Sequence, residues 1–260
     1  MTSQTSVQSL LAGAQEDGLI SAVSAQVLGA IDLGDQIQAG LGINCDDVMA
    51  SEAVLVTILV DDSSSIRFGN NTQLVRDGHN LVLDSLAATK QSDDILMHTR
   101  YLNGTVLYPY SFVGQVPRMD SANYNPSGGT PLFPESVVTL GTVIAKTKEF
   151  ADNGVPVRGI TLIVTDGGDT SGQTPADVKK LVKDLLATET QIVAGMGIDD
   201  GYTDFRQVFS DMGIPDEWIL TPGNTDKEIR AAFTLFSQSA VQVSQGSMAF
   251  SQVSLGGFGS

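Results

Sequence analysis

The rhythm of apolar positions changes near residue 53. Ahead of it, Leu19, Ile20, Val23, Val27, Leu28 and Ile31 recur at helical spacing, and Ile37 and Leu41 carry the pattern into a second short helix after "DLGD". From Ala53 onward, short aliphatic runs alternate with amphipathic stretches, which predicts a doubly wound α/β sheet. Val54 to Val60 is aliphatic apart from Thr57 and suits a parallel strand buried on both faces. "TQLVRDGHNLVLDSLAATK" then sets Leu74, Val75, Leu81, Val82 and Leu86 largely on one side of a helix. "DILMHTRYLNGTVLYPYSFV" divides at Asn103-Gly104, a hairpin signal that predicts an antiparallel pair at the sheet's edge.

The loop "GQVPRMDSANYNPSGGTPL" is long for a compact domain, and loops of that length usually carry function. A helix from about Phe133 to Phe150 follows, then the buried strand of "GITLIVTDGGD". In "TPADVKKLVKDLLAT", Thr174 reads as an N-cap, Pro175 as the first helical residue and Asp177 as a first-turn acid. "QIVAGMGI" predicts another buried strand, "YTDFRQVFSDMG" a short helix, "EWILT" a last strand and "TDKEIRAAFTLFSQSAVQV" a closing helix, with Trp218 and Phe233 packing the sheet. The organisation expected is a helical extension over 1–52, an α/β domain over 53–243 and a flexible tail over 244–260, whose end "SLGGFGS" carries no charge.

Three polar clusters fall at one end of this sheet. Asp61, Ser63 and Ser65 stand at i, i+2 and i+4 after the first strand, Asp166 follows "LIV" and Thr165, and Thr130 lies in "SGGTPL" just before a helix. Right-handed crossovers bring the carboxyl ends of parallel strands to one edge, where open α/β sheets place their sites. All five side chains offer hard oxygen, the donor type that Mg²⁺ or Mn²⁺ takes. Gly128, Gly129, Gly167 and Gly168 allow close approach of these loops without a Cβ.

"DDSSS", "GGT" and "TDGG", in this order and on these elements, resemble the metal-ion-dependent adhesion site of a von Willebrand factor type A domain. The resemblance covers roughly Ala53 to Val241, with Asp61-x-Ser63-x-Ser65 as the DxSxS loop, Thr130 as the single threonine and Asp166 as the distal aspartate. Ser64 stands where glycine is common, and Asp62 adds an acid beside the loop. The resemblance implies a Rossmann-like fold and a divalent ion held directly by Ser63, Ser65 and Thr130 and partly through water by Asp61 and Asp166. One coordination position is then left for a partner protein's carboxylate. It also implies that Thr130 engages or retreats as the site changes state, coupled to the closing helix. Mg²⁺ is the expected ion, and an oxygen-only site also admits Mn²⁺ or Ca²⁺.

Bulk properties narrow the partners. Thirty Asp and Glu against fourteen Lys and Arg give a formal charge of −16, so nucleic acid is repelled and cations and basic surfaces are favoured. The first basic residue is Arg67, so the opening segment lacks the basic n-region of a secretory signal, and no run is long and apolar enough for membrane insertion. A cytoplasmic protein is expected. Cys45 is the only cysteine, which excludes an internal disulfide and reads as a small buried hydrophobe.

Plainer readings compete. Asp61 to Ser65 alone also describes a solvated strand end with an ordinary turn, and Asp169, Asp199 and Asp200 read as loop acids. His79 and His98, the latter expected in an edge strand, have no second histidine at ligand spacing, and "GMGIDDG" reads as a turn. The leading function is a non-enzymatic protein-binding module. Its rival is a metal-dependent phosphotransfer or phosphatase domain, disfavoured because position 63 is serine and no Lys lies in the three clusters. A third reading is assembly, by self-association or as a subunit working with a ring-forming ATPase, the latter by family analogy alone.

Overall fold

The computed structural model describes residues 6–29, 33–49, 51–246 and 258. Six strands form one sheet in the order β3-β2-β1-β4-β5-β6: β1 (Ala53–Val60), β2 (Ile95–Tyr101), β3 (Val106–Phe112), β4 (Val157–Thr165), β5 (Gln191–Gly197) and β6 (Ile219–Leu220). Among the described residues only the β2–β3 pair is antiparallel. All eight residues of β1 are buried, as its unbroken aliphatic run requires of a strand covered on both faces. The hairpin turns at Gly104, with φ at +87°, yet of its two strands β3 alone is an edge. β2 is sandwiched between β3 and β1, so His98 is buried rather than on an edge strand.

Four helices link or follow these strands as expected: α4 (Asn71–Ala87), α5 (Leu132–Asp152), α6 (Ala176–Ala187) and α8 (Asp226–Gln245), with the short α7 (Phe205–Asp211) before β6. α4 packs with α8, which also lies on β1 and β4, while α5 packs with α6 and likewise reaches β1 and β4. Leu81 departs from its predicted side and is exposed, because the α4 stripe that meets the core is Leu74, Val75, Val82 and Leu86. α6 begins one residue later than read: Pro175 holds the N-cap place in αR conformation, and Thr174 makes no capping bond. α8 runs through Gln245 into Gly246 at φ +61°, two residues beyond the predicted end of the closing helix. The rest of the uncharged tail, Phe258 aside, lies outside the described residues, as does Ile31.

Among the described residues the N-terminal segment holds three helices rather than two: α1 (Val7–Glu16), α2 (Ala22–Leu28) and α3 (Leu33–Leu41). Leu19 and Ile20 sit in the turn between the first two, because Gly18 at φ +74° ends α1 and Ser21 restarts the chain by accepting a bond from the Ser24 N–H. These helices pack on α5, and Val7, Leu10, Leu11, Ile37 and Leu41 belong to the same apolar cluster as the sheet. That second layer explains why α5 is buried almost all round. Arg100, buried on β2, ties the layers together by donating to Glu135 Oε2 (2.9 Å) on α5 and to the Gln36 carbonyl (2.9 Å) on α3.

Trp218 and Phe233 are buried as expected. Among the described residues, no helix is long and apolar enough to cross a membrane.

Candidate metal centre

The sheet reverses its winding between β1 and β4, and in doubly wound folds that switch point opens a crevice at the strands' carboxyl ends. Val60 and Val164 are register partners, so Asp61 and Thr165–Asp166 leave the sheet side by side, with the Asp61 N–H on the Val164 carbonyl at 2.9 Å. The loop after β1 folds back at once: the Ser63 N–H donates to Asp61 Oδ1 at 2.7 Å. This Asx-type turn brings the hydroxyls two and four residues on back over the strand's tip.

A continuous polar chain results. Ser63 Oγ and Ser65 Oγ are 2.8 Å apart, and Ser65 Oγ donates to Asp166 Oδ1 at 2.6 Å. A hydroxyl has one proton, so Ser65 spends its own on Asp166 and receives that of Ser63. Thr130 arrives from the third loop. Its N–H bonds Thr170 Oγ1 at 2.8 Å, its carbonyl accepts from the Thr170 N–H at 2.8 Å, and a Cβ on Gly167 would lie 3.4 Å from its Oγ1 and 3.6 Å from Ser65 Oγ. The bare Gly167 backbone therefore borders both hydroxyls. Among the described residues no hydrogen bond joins the Thr130 hydroxyl to the other four side chains. The structure thus gathers all five predicted side chains around one crevice, four linked directly or through a backbone N–H and Thr130 set alongside.

Burial decides against a solvated strand end. Asp61 is fully buried, and Asp62, Ser63, Thr130 and Asp166 are each at most 4% exposed. Burial pushes Asp166 up to about 7; the Ser65 hydrogen bond pulls the other way, and Asp61 and Asp200 add to the rise. Asp62 is likewise raised, to about 6, by burial and then by Asp61, against the bond its Oδ1 accepts from the Asn103 N–H at 3.0 Å. Among the described residues none of these three acids forms an ion pair. Negative charge is concentrated here with no ion-paired cation among the described residues, the situation a bound dication relieves. No group of three or more His, Cys, Asp or Glu side chains is placed to hold a metal among the described residues; two carboxylates and three hydroxyls are what the crevice offers. That oxygen-only set suits Mg²⁺, Mn²⁺ or Ca²⁺.

Sequence reasoning missed the supports. Thr165 Oγ1 donates to Asp61 Oδ2 at 2.7 Å, Tyr124 OH donates to the Asp61 carbonyl at 2.5 Å, and Thr170 brackets Thr130. Only Thr165, adjacent to Asp166, lay close enough in the chain to be noticed. Asp169 and Asp200, read as loop acids, bond backbone N–H groups: Asp169 Oδ1 accepts the Phe133 N–H of α5 at 3.1 Å, and Asp200 accepts from Tyr202 and Thr203. Cys45 is buried, its thiol raised by that burial.

No protein-family model matches the chain, and no curated protein matches it in sequence. Solved structures do. The pilus adhesin SpaC from Lactobacillus rhamnosus GG superposes in its open conformation with TM-score 0.54 at 15% identity, over 75% of this chain and 30% of the adhesin. A second form of SpaC gives 0.55 at 14% identity, over 75% and 31%. This chain therefore spans less than a third of the adhesin's length. A von Willebrand factor type A protein from Catenulispora acidiphila gives 0.47 at 16% identity, over 74% of this chain and 43% of that one. With its sheet order, single antiparallel edge strand and helices on both faces, this chain has the von Willebrand factor type A fold.

Proposed function

We propose that this chain is a metal-dependent protein-binding module, taking a carboxylate from a partner protein through a divalent ion, Mg²⁺ first, held by Asp61, Ser63, Ser65, Thr130 and Asp166. The observation that carries the reading is the chain of contacts from Asp61 through Ser63 and Ser65 to Asp166, at 2.7, 2.8 and 2.6 Å, across the switch point of the sheet. The ion would supply positive charge and an exchangeable coordination position. The protein's own residues do the remaining work. The hydroxyls offer neutral donors that leave the ion electrophilic. Thr165 and the Ser63 N–H fix the Asp61 carboxylate, and Thr170 fixes the Thr130 backbone.

The rival reading, phosphotransfer or phosphatase chemistry, needs a carboxylate free to attack. Asp61 is fully buried, with Oδ1 bonded by the Ser63 N–H and Oδ2 by Thr165 Oγ1 and, at 3.4 Å, the Asp166 N–H. That carboxylate is a scaffold rather than a nucleophile, which favours a non-enzymatic module. Cytoplasmic location and a ring-forming ATPase as partner belong to the same proposal, the latter on family resemblance alone; self-association is the competing mode of assembly.

Calorimetric titration of the metal-free chain with Mg²⁺ tests the reading. Saturable binding is expected, weakened by Ser63→Ala and by Thr130→Ala while far-UV circular dichroism stays that of the wild type. Affinity capture in Mg²⁺ and again in EDTA extends the test to the partner, which Ser63→Ala is expected to lose. An isotherm unchanged by both substitutions would overturn the assignment.

A further inference from the structure

Two aromatic side chains on loops bordering the candidate centre stand in solvent, Phe68 at 73% exposure, three residues after Ser65, and Tyr202 at 97%, next to Thr203, whose Oγ1 would lie 3.9 Å from a Cβ on Gly168. Among the described residues they are the only large aromatics so exposed. Both are carried on bonded backbone: the Phe68 N–H donates to the Ser65 carbonyl at 2.8 Å, and the Tyr202 N–H donates to Asp200 Oδ1 at 2.9 Å, whose other oxygen takes the Thr203 hydroxyl at 2.7 Å. Phe68 rides on the loop that supplies Ser63 and Ser65, and Tyr202 on the loop leaving β5. In the sheet β1 and β5 flank β4, which delivers Asp166. Adjacent strands lie about 4.8 Å apart, so the roots of the two loops are about 10 Å apart with the centre between them.

An exposed aromatic pair around a polar centre has the anatomy of a binding face, where aromatic anchors carry much of the energy. Charge restricts what the face accepts. Arg67, exposed and next to Phe68, forms no ion pair among the described residues and reaches only Asn125 Oδ1 at 3.3 Å. It is a local cation at the rim of a chain whose formal charge is −16. A densely acidic partner is repelled at long range, whereas a single carboxylate among uncharged residues meets the local cation without that penalty. A free small carboxylate would be too short to touch both aromatics.

Resting on the metal-dependent reading above, we propose that the loops bearing Phe68 and Tyr202 recognise an extended protein segment in which one acidic side chain is flanked on both sides by apolar ones. In an extended segment residues two apart share a face and are separated by about 7 Å, so apolar side chains two residues before and after the acid span about 14 Å. That is the scale on which the two loops straddle the centre. The acid meets the ion, the apolar neighbours cover Phe68 and Tyr202, and Arg67 adds attraction at the rim.

The test is selection of random peptides displayed on phage by the full chain in MgCl₂, with elution by EDTA. Eluted sequences are expected to be enriched in Asp or Glu with aliphatic or aromatic residues two or three positions away on both sides. Phe68→Ser with Tyr202→Ser should keep the acid enrichment, abolish the apolar one, and weaken the selected peptides by about tenfold or more, as loss of an interface anchor does. Both side chains are exposed, so the double variant folds as the wild type by circular dichroism. Acidic peptides without apolar flanks, or flanks that survive the double substitution, overturn this proposal and leave the metal-dependent reading standing. Absence of any EDTA-eluted acidic sequence overturns both.

Discussion

The Ser65 hydroxyl donates to Asp166 Oδ1 across 2.6 Å, joining residues 101 positions apart in the chain. β1 and β4 are neighbours in the sheet, so this contact is made at the tips of two strands whose backbones are already in register. The pair reports on two linked properties, the metal-free stability of the crevice and its affinity for a cation.

Asp166 is a buried carboxylate next to Asp61 and near Asp200, raised to about 7 first by burial and then by those charges. Asp166→Asn keeps the shape and removes the charge. The metal-free variant is expected to melt at or above the wild-type temperature near neutral pH, because a buried negative charge without a cation is gone. Mg²⁺ should raise the melting temperature of the wild type, since a ligand at a hundred times its Kd adds about 2.7 kcal/mol. It should leave Asp166→Asn nearly unmoved. Differential scanning calorimetry with and without Mg²⁺ checks both halves, and equal metal-induced shifts in the two proteins would count against Asp166 as part of the centre.

Thr165 supports Asp61 from beneath, through a 2.7 Å hydrogen bond in a fully buried setting. Thr165→Val preserves size and removes the donor, leaving Asp61 Oδ2 with only the 3.4 Å contact to the Asp166 N–H. A lost buried hydrogen bond to a charged group costs about 1–3 kcal/mol, and loss of a group that orients a metal ligand weakens metal binding by about 10–100-fold. Thr165→Ser should restore most of the affinity. Chemical denaturation and Mg²⁺ titration of the pair separate a positioning role from simple packing, since packing alone predicts that valine binds as well as threonine.

How legible was this in the chain? Asp61, Ser63 and Ser65 were readable because their spacing is local and they end an apolar run that can only be a buried strand. Asp166 followed from the rule that parallel strands deliver their loops to one edge, whereas Thr130 comes after the antiparallel β3 and was legible only through the likeness of its "GGT" to the family motif. Tyr124 and Thr170 were not readable: their contacts with Asp61 and Thr130 span 63 and 40 residues and leave no periodic trace. α1 escaped because its buried stripe of Val7, Leu10, Leu11 and Ala14 lies among Ser, Gln and Gly and stops at Gly18. The all-round burial of α5 likewise depends on helices that no local pattern attaches to it. The position of β2 inside the sheet was hidden because a hairpin signal pairs two strands without saying what lies on the other side of either.

His79 and His98 lie in the core, His79 among hydroxyls and His98 against a backbone carbonyl. His79 Nε2 is 3.0 Å from Thr99 Oγ1 and 2.9 Å from Tyr108 OH, and His98 Nδ1 is 2.8 Å from the Tyr108 carbonyl. Burial lowers both to about 4 from an ordinary 6.5. The sign follows from linkage: as pH falls through 6.5 the unfolded chain takes up protons that the folded chain refuses until about 4, so each histidine removes stability progressively over that interval. For fully buried groups the loss is on the order of a few kcal/mol apiece. The raised carboxyls Asp62 and Asp166 work in the opposite direction between about 7 and 4, so the wild-type curve mixes the two effects. Comparison with His79→Gln combined with His98→Asn, whose amides keep the Nε2 and Nδ1 positions, isolates the histidines. The difference in unfolding free energy, wild type minus variant, should fall steadily from pH 6.5 to pH 4; a flat difference would show that the folded rings take up protons as readily as the unfolded ones.

Gly78 lies where α4 crosses α8, and a Cβ there would come within 2.2 Å of the Phe233 ring. The ring is buried and belongs to the main apolar cluster, so it has no open space to retreat into. In an unpacked helix Gly→Ala stabilises by about 1 kcal/mol, so a net loss from Gly78→Ala understates the clash by about that amount. Overpacking of this kind costs about 1–3 kcal/mol, so the expected fall in chemical denaturation is up to about 2 kcal/mol. Phe233→Leu alone should also destabilise by removing ring volume, but the two together should lose less than the sum, because the smaller side chain makes room for the methyl group. A coupling of about 1 kcal/mol or more in that double-mutant cycle is the expected result for residues in contact. Strict additivity would mean that α8 shifts away from α4 to admit the methyl, and that the close approach of the two helices is not fixed by Gly78.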